Sequence, residues 1–291
     1  MSLKKIFKAL KDGGIVVPKL NKYLLTIGDD ADRNHGYNSP SGVSSCPRGL
    51  FYTRTGVKKD GVIDPRTRRI FDNGHHVHDR LQTYLKEEGC LIMDETPVWN
   101  KALKILGHCD GILRVNKFTL AILEIKSINT NAFSHLTGAK PEHQMQAQVY
   151  MYCLEKLREK LIQAKDFEEA KADLLEEYAT LMESFVEGGS KFTKEEKIAH
   201  KVGIMEDTLN ILYETPKTID TMSVVYESKN DQELKEYVIK WDDDLVAEIE
   251  EKYTYINKMV DSNTEPPRPA EATSKSCSCC RYCNYIFKCW K

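Results

Sequence analysis

The sequence predicts a mixed α/β fold, and three observations carry that prediction. Residues 105–126, ILGHCDGILRVNKFTLAILEIK, set two short apolar runs on either side of Val115-Asn116-Lys117, the pattern of a β-hairpin. Residues 221–241, TMSVVYESKNDQELKEYVIKW, repeat that pattern around Asn230-Asp231. Long stretches around and between the two hairpins have the 3.6-residue apolar period of amphipathic helices.

Taken in order, residues 3–12 place Leu3, Ile6, Phe7 and Leu10 on one side of a short helix, which Gly13, Gly14 and Pro18 break. Residues 27–42 are rich in Gly, Asp, Asn and Ser and read as loop. Ser39 or Ser41 caps a helix that begins near Gly42 and turns Cys46, Leu50 and Phe51 inward. Residues 58–69, KKDGVIDPRTRR, read as a polar basic loop. A helix follows from about Ile70 to Glu88: Val77, Leu81, Tyr84 and Leu85 fit its period, and Gly89 ends it. His78 lies on an adjacent face; alone it reads as a hydrogen-bonded structural histidine, with His75 and His76 weaker candidates. Residues 91–99 form an extended segment leading to the first hairpin, and Glu95 is a spare acid on it.

After that hairpin, residues 127–141 are a polar loop. The stretch EHQMQAQVYMYCLEKL begins a helix with Met145, Val149, Tyr152 or Cys153, and Leu157 on its apolar side. His143, Gln146 and Tyr150 lie at i, i+3 and i+7, on one face. Residues 155–212 are charged and helical, are split at Gly188-Gly189-Ser190, and read as a helical insertion or lid. The second hairpin leads to an amphipathic helix over 243–260, with Leu245, Ile249, Tyr253, Ile256 and Val260 apolar, and then to a proline-rich linker, TEPPRPAEATSKS.

Composition narrows the function classes. Of 291 residues, 41% are hydrophobic and 30% charged, which fits a folded protein rather than a disordered one. No run of 18 or more apolar residues occurs, so neither a membrane span nor a membrane partner is expected. The N-terminal stretch has no long apolar run and no small-residue cleavage site, so a secretory signal is not expected. Nine cysteines, clustered toward the C-terminal end, suit a reducing cytoplasm and a metal site better than a disulfide framework. The net charge of −2 hides an asymmetry, because residues 1–70 carry 8 Lys and 6 Arg against 6 Asp and no Glu. A basic first quarter suits phosphate contact, and equally a solvated surface.

The first hairpin carries the chemistry. Glu124 and Lys126 are two apart and share one face of a strand. A turn of two or three residues sets Asp110 opposite about residue 122 or 123, close to Glu124. Two acids and a lysine on apolar strands must be paired or bind a metal. Two carboxylates hold Mg²⁺ or Mn²⁺, and a lysine beside them orients or deprotonates a water, which outlines a site for phosphodiester cleavage.

The C-terminal stretch, CSCCRYCNYIFKCWK, contains Cys280-x2-Cys283-x5-Cys289, a spacing that turns thiolates toward one metal centre. A closed site needs a fourth ligand, and Cys277, Cys279 and the distant Cys46 are all available. Zn²⁺ and a [4Fe–4S] cluster both accept four cysteines. Cys90, Cys109 and Cys153 sit in apolar contexts and read as core.

The order Cys46…His78…Asp110…Glu124-Ile125-Lys126…Gln146-x3-Tyr150…Cys280-x2-Cys283-x5-Cys289 resembles the iron–sulfur branch of the PD-(D/E)xK nucleases. That branch includes RecB-like exonucleases, the AddB nuclease domain, and CRISPR-adaptation nucleases with phage-borne relatives. The resemblance runs from about residue 39 to 291 apart from 155–212. It implies a restriction-endonuclease-like α/β core with a helical insertion and an Fe–S staple joining the two ends. Within a single nuclease domain over 1–291 this places cluster-binding ends at 39–56 and 275–291, a catalytic core at 70–154, an insertion at 155–212, and a second hairpin and helix at 213–262.

Residue by residue, the resemblance implies that His78, Asp110 and Glu124 are metal ligands, with the Ile125 carbonyl adding another. Lys126 positions or activates the attacking water, and Gln146 and Tyr150 match the Q-x3-Y helix motif. The register of that motif stays open, since Gln144 and Gln148 also have a residue four positions on and Gln148 is followed by Tyr152. Cys46, Cys280, Cys283 and Cys289 hold the [4Fe–4S] cluster, while Cys277 and Cys279 remain extra. Ser41, Arg48 and Tyr52 fall in a segment like the family's S-x4-C-P-R motif. Arg48, Arg54 and Arg281 are candidate contacts to the DNA backbone. Cys109 stands where the superfamily's name has a proline, and no G-x4-G-K-[ST] motif is present, so any helicase is a separate partner.

The implied activity is a Mg²⁺- or Mn²⁺-dependent deoxyribonuclease, an exonuclease on single-stranded DNA or duplex ends that also admits endonuclease action. Two other readings compete: a non-catalytic nucleic-acid-binding module with a zinc-bound tail, and a CRISPR-adaptation factor that trims DNA for an integrase. Homo-oligomers occur in this superfamily.

Overall fold

A computed structural model describes residues 16–27, 36–187 and 192–291 of the chain. Helix α1, Val16–Thr26, forms where the sequence suggests a break, because Pro18 falls in the first turn, where no backbone N–H is needed. The helix expected over 3–12, and the break at Gly188-Gly189-Ser190, lie outside the described residues. Pro40–Gly42 is a single 3₁₀ turn, and α2 runs Pro47–Arg54. Cys46 is therefore the N-cap of α2 rather than an inward residue within a helix begun at Gly42, and its Sγ accepts the Gly49 N–H at 3.3 Å.

Helix α3 spans Pro65–Glu87, five residues longer at its start than periodicity suggests. Asp64 caps it by accepting the N–H groups of Arg66 and Thr67, and Pro65 occupies N1. The basic loop thus ends at Asp64, and Arg66, Arg68 and Arg69 ride on the helix. Gly89, at φ +84°, follows its end as only a residue without Cβ does easily.

Strands β1 (Leu91–Asn100), β2 (Ile105–Asn116) and β3 (Thr119–Ile128) form an antiparallel meander. The hairpin turn is Lys117-Phe118, two residues, with Asn116 Oδ1 accepting the Phe118 N–H at 2.9 Å. The polar loop that follows contains a short helix, α4 (Thr130–Ser134), capped by Asn129. Helices α5 (Pro141–Gln163), α6 (Phe167–Phe185) and α7 (Lys194–Glu214) then carry the chain to β4 (Thr221–Ser228), which pairs parallel to β3. Strand β5 (Leu234–Lys240) completes the sheet, antiparallel to β4, in the order β1-β2-β3-β4-β5. Helix α8 (Asp243–Asp261), the proline-rich stretch and a last turn, α9 (Ile286–Cys289), follow.

The result is a layered α/β fold. One sheet face packs on α5: Ile122, Met222, Val224 and Tyr226 meet Ala147, Met151 and Leu154. Leu174 and Tyr178 of α6, Met205 and Leu209 of α7, and Ile249 and Tyr253 of α8 join that same core. The other face packs on α3, through Val77, Leu81, Leu91, Leu123 and Ile125. Strand β3 is thus buried on both faces, as a central strand with a parallel neighbour usually is. Odd residues 123 and 125 face α3, and even residues 122 and 124 face α5, so the strand period delivers Glu124 into the space under α5. No helix among the described residues is long and apolar enough to cross a membrane.

Candidate active site

Asp110 sits where two strands part. The β2–β3 ladder ends at Gly111↔Leu123, and Asp110 Oδ2 accepts the Ile125 N–H at 2.5 Å in place of a further backbone rung. Gly111 is required beside it, since a Cβ there would lie 2.4 Å from the Met93 carbonyl oxygen of β1. Asp110 Oδ1 meets His78 Nδ1 of α3 at 3.1 Å. The helix above one sheet face and the strand below it therefore converge on one carboxylate.

Glu124 is 3% exposed. Its Oε1 is ion-paired to Lys126 Nζ and accepts Gln146 Nε2 at 3.0 Å. Gln146 Nε2 also lies 2.6 Å from the Tyr150 hydroxyl. Of the glutamines that the sequence leaves open, Gln146 reaches the acid and Tyr150 reaches Gln146. Gln148 binds the Lys240 carbonyl and the Asp242 N–H, Tyr152 reaches Glu250, and Gln144 bonds back to the Ala139 carbonyl. The polar stripe of α5 is buried around Gln146, not solvated.

Electrostatics follow from this geometry. Burial, then the charge of Asp110, raise Glu124 to about 7, against the opposing pull of Lys126 and His78. Burial pulls His78 down, but its hydrogen bond to Asp110 and the two carboxylate charges outweigh it, so its pKa is raised. Burial, then Lys126, lower His143 to about 4, so it is neutral near pH 7. Its Nδ1 lies 2.6 Å from the hydroxyl of Tyr226, the residue paired with Lys126 across β3 and β4.

Glu124 Oε2 is buried with no hydrogen-bond partner, although a buried carboxylate oxygen ordinarily has one. A cation beside Asp110 would satisfy it, and His78, Asp110, Glu124 and the Ile125 carbonyl are the nitrogen and oxygen donors that could hold Mg²⁺ or Mn²⁺ there.

The site has parts that periodicity does not single out. Gln82, one turn beyond His78, donates to the Asp110 carbonyl at 2.8 Å and to Glu95 Oε1 at 3.2 Å. Glu95 falls between Asp94↔Gly111 and Thr96↔Cys109 in the β1–β2 register, and so lies opposite Asp110. Arg80 grips both oxygens of buried Glu227, at 2.8 and 2.6 Å, and so ties α3 to β4. The i+4 spacing from His78 is a signal for Gln82; nothing in the sequence marks Tyr226 or Glu227. His75 and His76 are exposed.

The cysteines form a second assembly. Cys46, Cys280, Cys283 and Cys289 line one small cavity with Cys279, so the two distant ends of the sequence do meet. Cys283 Sγ accepts the Tyr285 N–H at 3.4 Å, and Arg48 Nη1 lies 3.7 Å from Cys289 Sγ. Burial, then the nearby sulfurs of Cys46, Cys280 and Cys289, raise Cys283, against the Tyr285 N–H, so its thiolate is disfavoured in the absence of a cation. The Cys277, Cys279 and Cys280 sulfurs also lie within 4.8 Å of one another. Cys109 and Cys153 are buried in the core.

Two of the three candidate DNA-contact arginines serve the fold instead. Arg54 is buried and bonds Asn38 Oδ1 at 2.9 Å and Asn257 Oδ1 at 2.7 Å, out of reach of a phosphate. Arg48 binds the Pro266 carbonyl at 2.7 Å and pairs with Glu265 at 3.0 Å, fastening the linker over the cysteine cavity. Arg281 is exposed, over the ring of Tyr282.

No protein-family model matches the chain, and no curated protein matches it. Among solved structures, an alkaline exonuclease from Laribacter hongkongensis overlaps at a TM-score of 0.44 and 14% identity, covering 84% of this chain and 93% of its own. The same exonuclease in complex with dAMP overlaps at 0.44 and 15% identity over the same shares. A protein designated SSO0001 overlaps at 0.40 and 14% identity, covering 95% of this chain and 96% of its own. At this level of likeness, function has to be read from the chain's own geometry.

Proposed function

We propose that this chain is a divalent-metal-dependent deoxyribonuclease acting on single-stranded DNA or duplex ends. The observation that carries the reading is the buried, unpartnered Oε2 of Glu124, held beside Lys126, Gln146 and the Asp110–His78 pair. His78, Asp110, Glu124 and the Ile125 carbonyl would hold the ion, which supplies Lewis-acid polarisation of the scissile phosphate. Lys126 orients the attacking water with its ammonium and offsets the negative charge that builds on phosphorus. Gln146 holds one oxygen of Glu124 and leaves the other, buried and unpartnered, for the ion. Neutral His143, against Tyr226, adds no charge to compete with Lys126 for the phosphate. Phosphate-directed chemistry of this kind reads no bases and tolerates sequence.

The cysteine assembly is proposed as a structural cluster site on Cys46, Cys280, Cys283 and Cys289, joining α2 to the C-terminal turn; [4Fe–4S] is the reading and Zn²⁺ the alternative. The second functional reading, a non-catalytic binding module with a zinc-bound tail, draws support from the compact Cys277, Cys279 and Cys280 group.

The test is cleavage of end-labelled single-stranded and duplex DNA with Mg²⁺ or Mn²⁺ by anaerobically purified protein, beside Lys126→Ala. Cleavage by the wild type that is lost in a folded variant supports the reading. A wild type that holds its metal on the cysteines and cuts nothing with either cation refutes it and favours the binding module.

A further inference from the structure

The α3 face that carries His78 runs on toward the helix N-terminus through Gly74 and Phe71. Residues seven apart on a helix are nearly eclipsed, so Phe71 lies on the same face as His78, roughly 10 Å nearer the N-terminus of α3. Gln82, on that face one turn further on, touches Asp110. Phe71 belongs to neither apolar cluster on the two sheet faces and is 52% exposed, whereas Val77 and Leu81, on the apolar stripe of the same helix, are buried.

Between Phe71 and His78 comes Gly74. A glycine inside a helix costs about 1 kcal/mol relative to alanine. Nothing among the described residues lies within 4 Å of where its Cβ would stand. Among the described residues the helix backbone is therefore bare beside His78, with the ring of Phe71 on one side of Gly74 and the exposed imidazole of His75 on the other. A ring with a free face, next to a bare strip of backbone that leads to a phosphate-cleaving centre, matches the stacking platforms that hold unpaired bases.

We propose that Phe71 is a base-stacking residue: it receives an unpaired nucleobase one or two nucleotides from the scissile phosphate, with the strand lying over Gly74. The reacting substrate is then single-stranded DNA, or the unpaired terminus of a duplex. The inference rests on the nuclease reading for its position, and its test is separable from that reading.

Two measurements decide it, each on wild type, Phe71→Ala, Phe71→Trp and Phe118→Ala, the last a comparably exposed phenylalanine on the turn of the hairpin. The first is binding of a fluorescent single-stranded oligonucleotide in Ca²⁺, and the second is steady-state cleavage in Mg²⁺ or Mn²⁺. Stacking predicts that Phe71→Ala weakens Kd and raises KM by roughly 5- to 100-fold with kcat nearly unchanged. Phe71→Trp keeps both constants near wild type, and Phe118→Ala changes neither. On a strand with an abasic residue at the stacked position, wild type falls to the level of Phe71→Ala. Equal binding by wild type and Phe71→Ala, or an equal loss on intact and abasic strands, overturns the proposal. A wild type that cleaves nothing but whose binding depends on Phe71 and on the base refutes the nuclease reading and leaves the stacking site standing.

Discussion

Replacing Lys126 by Met removes the cation beside Glu124 while keeping most of the side chain's bulk. The consequence for stability can be worked from the wild-type carboxyl, which is raised from an ordinary 4.5 to about 7 in the metal-free fold. A raised carboxyl means that the folded state holds its proton more tightly than the unfolded chain does. The stability it contributes is fully present below the unfolded pKa and is lost as pH rises through the folded one. Above pH 7 the wild type therefore carries a penalty of about 3 kcal/mol at this position. Without Lys126 the carboxylate loses its ion-pair partner and keeps only the more distant His78, so its pKa rises further. A buried unpaired charge costs roughly 3–5 kcal/mol, but a carboxyl escapes by keeping its proton, so the extra cost is capped at about 1.4 kcal/mol for each pH unit above 7. Urea unfolding of the EDTA-treated proteins is expected to show the variant less stable by about 2 kcal/mol near pH 8.5, and within about 1 kcal/mol near pH 5.5. A loss of equal size at both pH values would refute the argument, because it would mean that Glu124 does not feel Lys126 as a charge.

Further outcomes follow from the same contacts. Gln146→Leu strips Glu124 Oε1 and the Tyr150 hydroxyl of a shared donor; it is expected to cost about 1–3 kcal/mol in thermal or urea unfolding. Its cleavage rate should fall mainly in kcat, and full activity in the variant would remove Gln146 from the site. His143 titrates at about 4, below its ordinary value, so the stability of its neutral form is lost as pH falls from about 6.5 through 4. After discounting for its partial exposure, His143→Gln should flatten the acid limb of the stability profile by about 1–2 kcal/mol, measured as Tm against pH. Cys46→Ser should lose bound iron or zinc by elemental analysis and drop Tm together, whereas Cys90→Ser, whose thiol points to the Leu85 carbonyl, should lose neither. Retention of the full metal complement by Cys46→Ser would assign the fourth ligand to Cys277 or Cys279.

Local pattern carried much of the architecture. Both hairpins lie where apolar runs flank turn residues, and the helices at 70–88, 142–157 and 243–260 follow their periods, because side-chain period is a property of the chain itself. Where elements shifted, short-range chemistry outweighed periodicity: Asp64-Pro65 starts α3 early, Pro18 opens α1 rather than breaking it, and Cys46 caps α2.

The strand period also placed Glu124 and Lys126 on one face, but the turn falls at Lys117-Phe118, and a register shift between Arg114 and Asn116 sets Asp110 beside Glu124 rather than opposite 122 or 123. Which face was buried did not follow from the strand period. The parallel pairing of β3 with β4 and the packing of α5 over one face and α3 over the other put Glu124 out of water and raised its pKa. They also chose Gln146 over Gln144 and Gln148, and brought Gln82 and His78 to Asp110. The union of Cys46 with the C-terminal cysteines, and the withdrawal of Arg48 and Arg54 into the fold, likewise depend on contacts more than 200 residues apart. A sequence holds the chemistry of its side chains and their near spacing; desolvation, and the choice between equivalent partners, come from which distant surfaces meet.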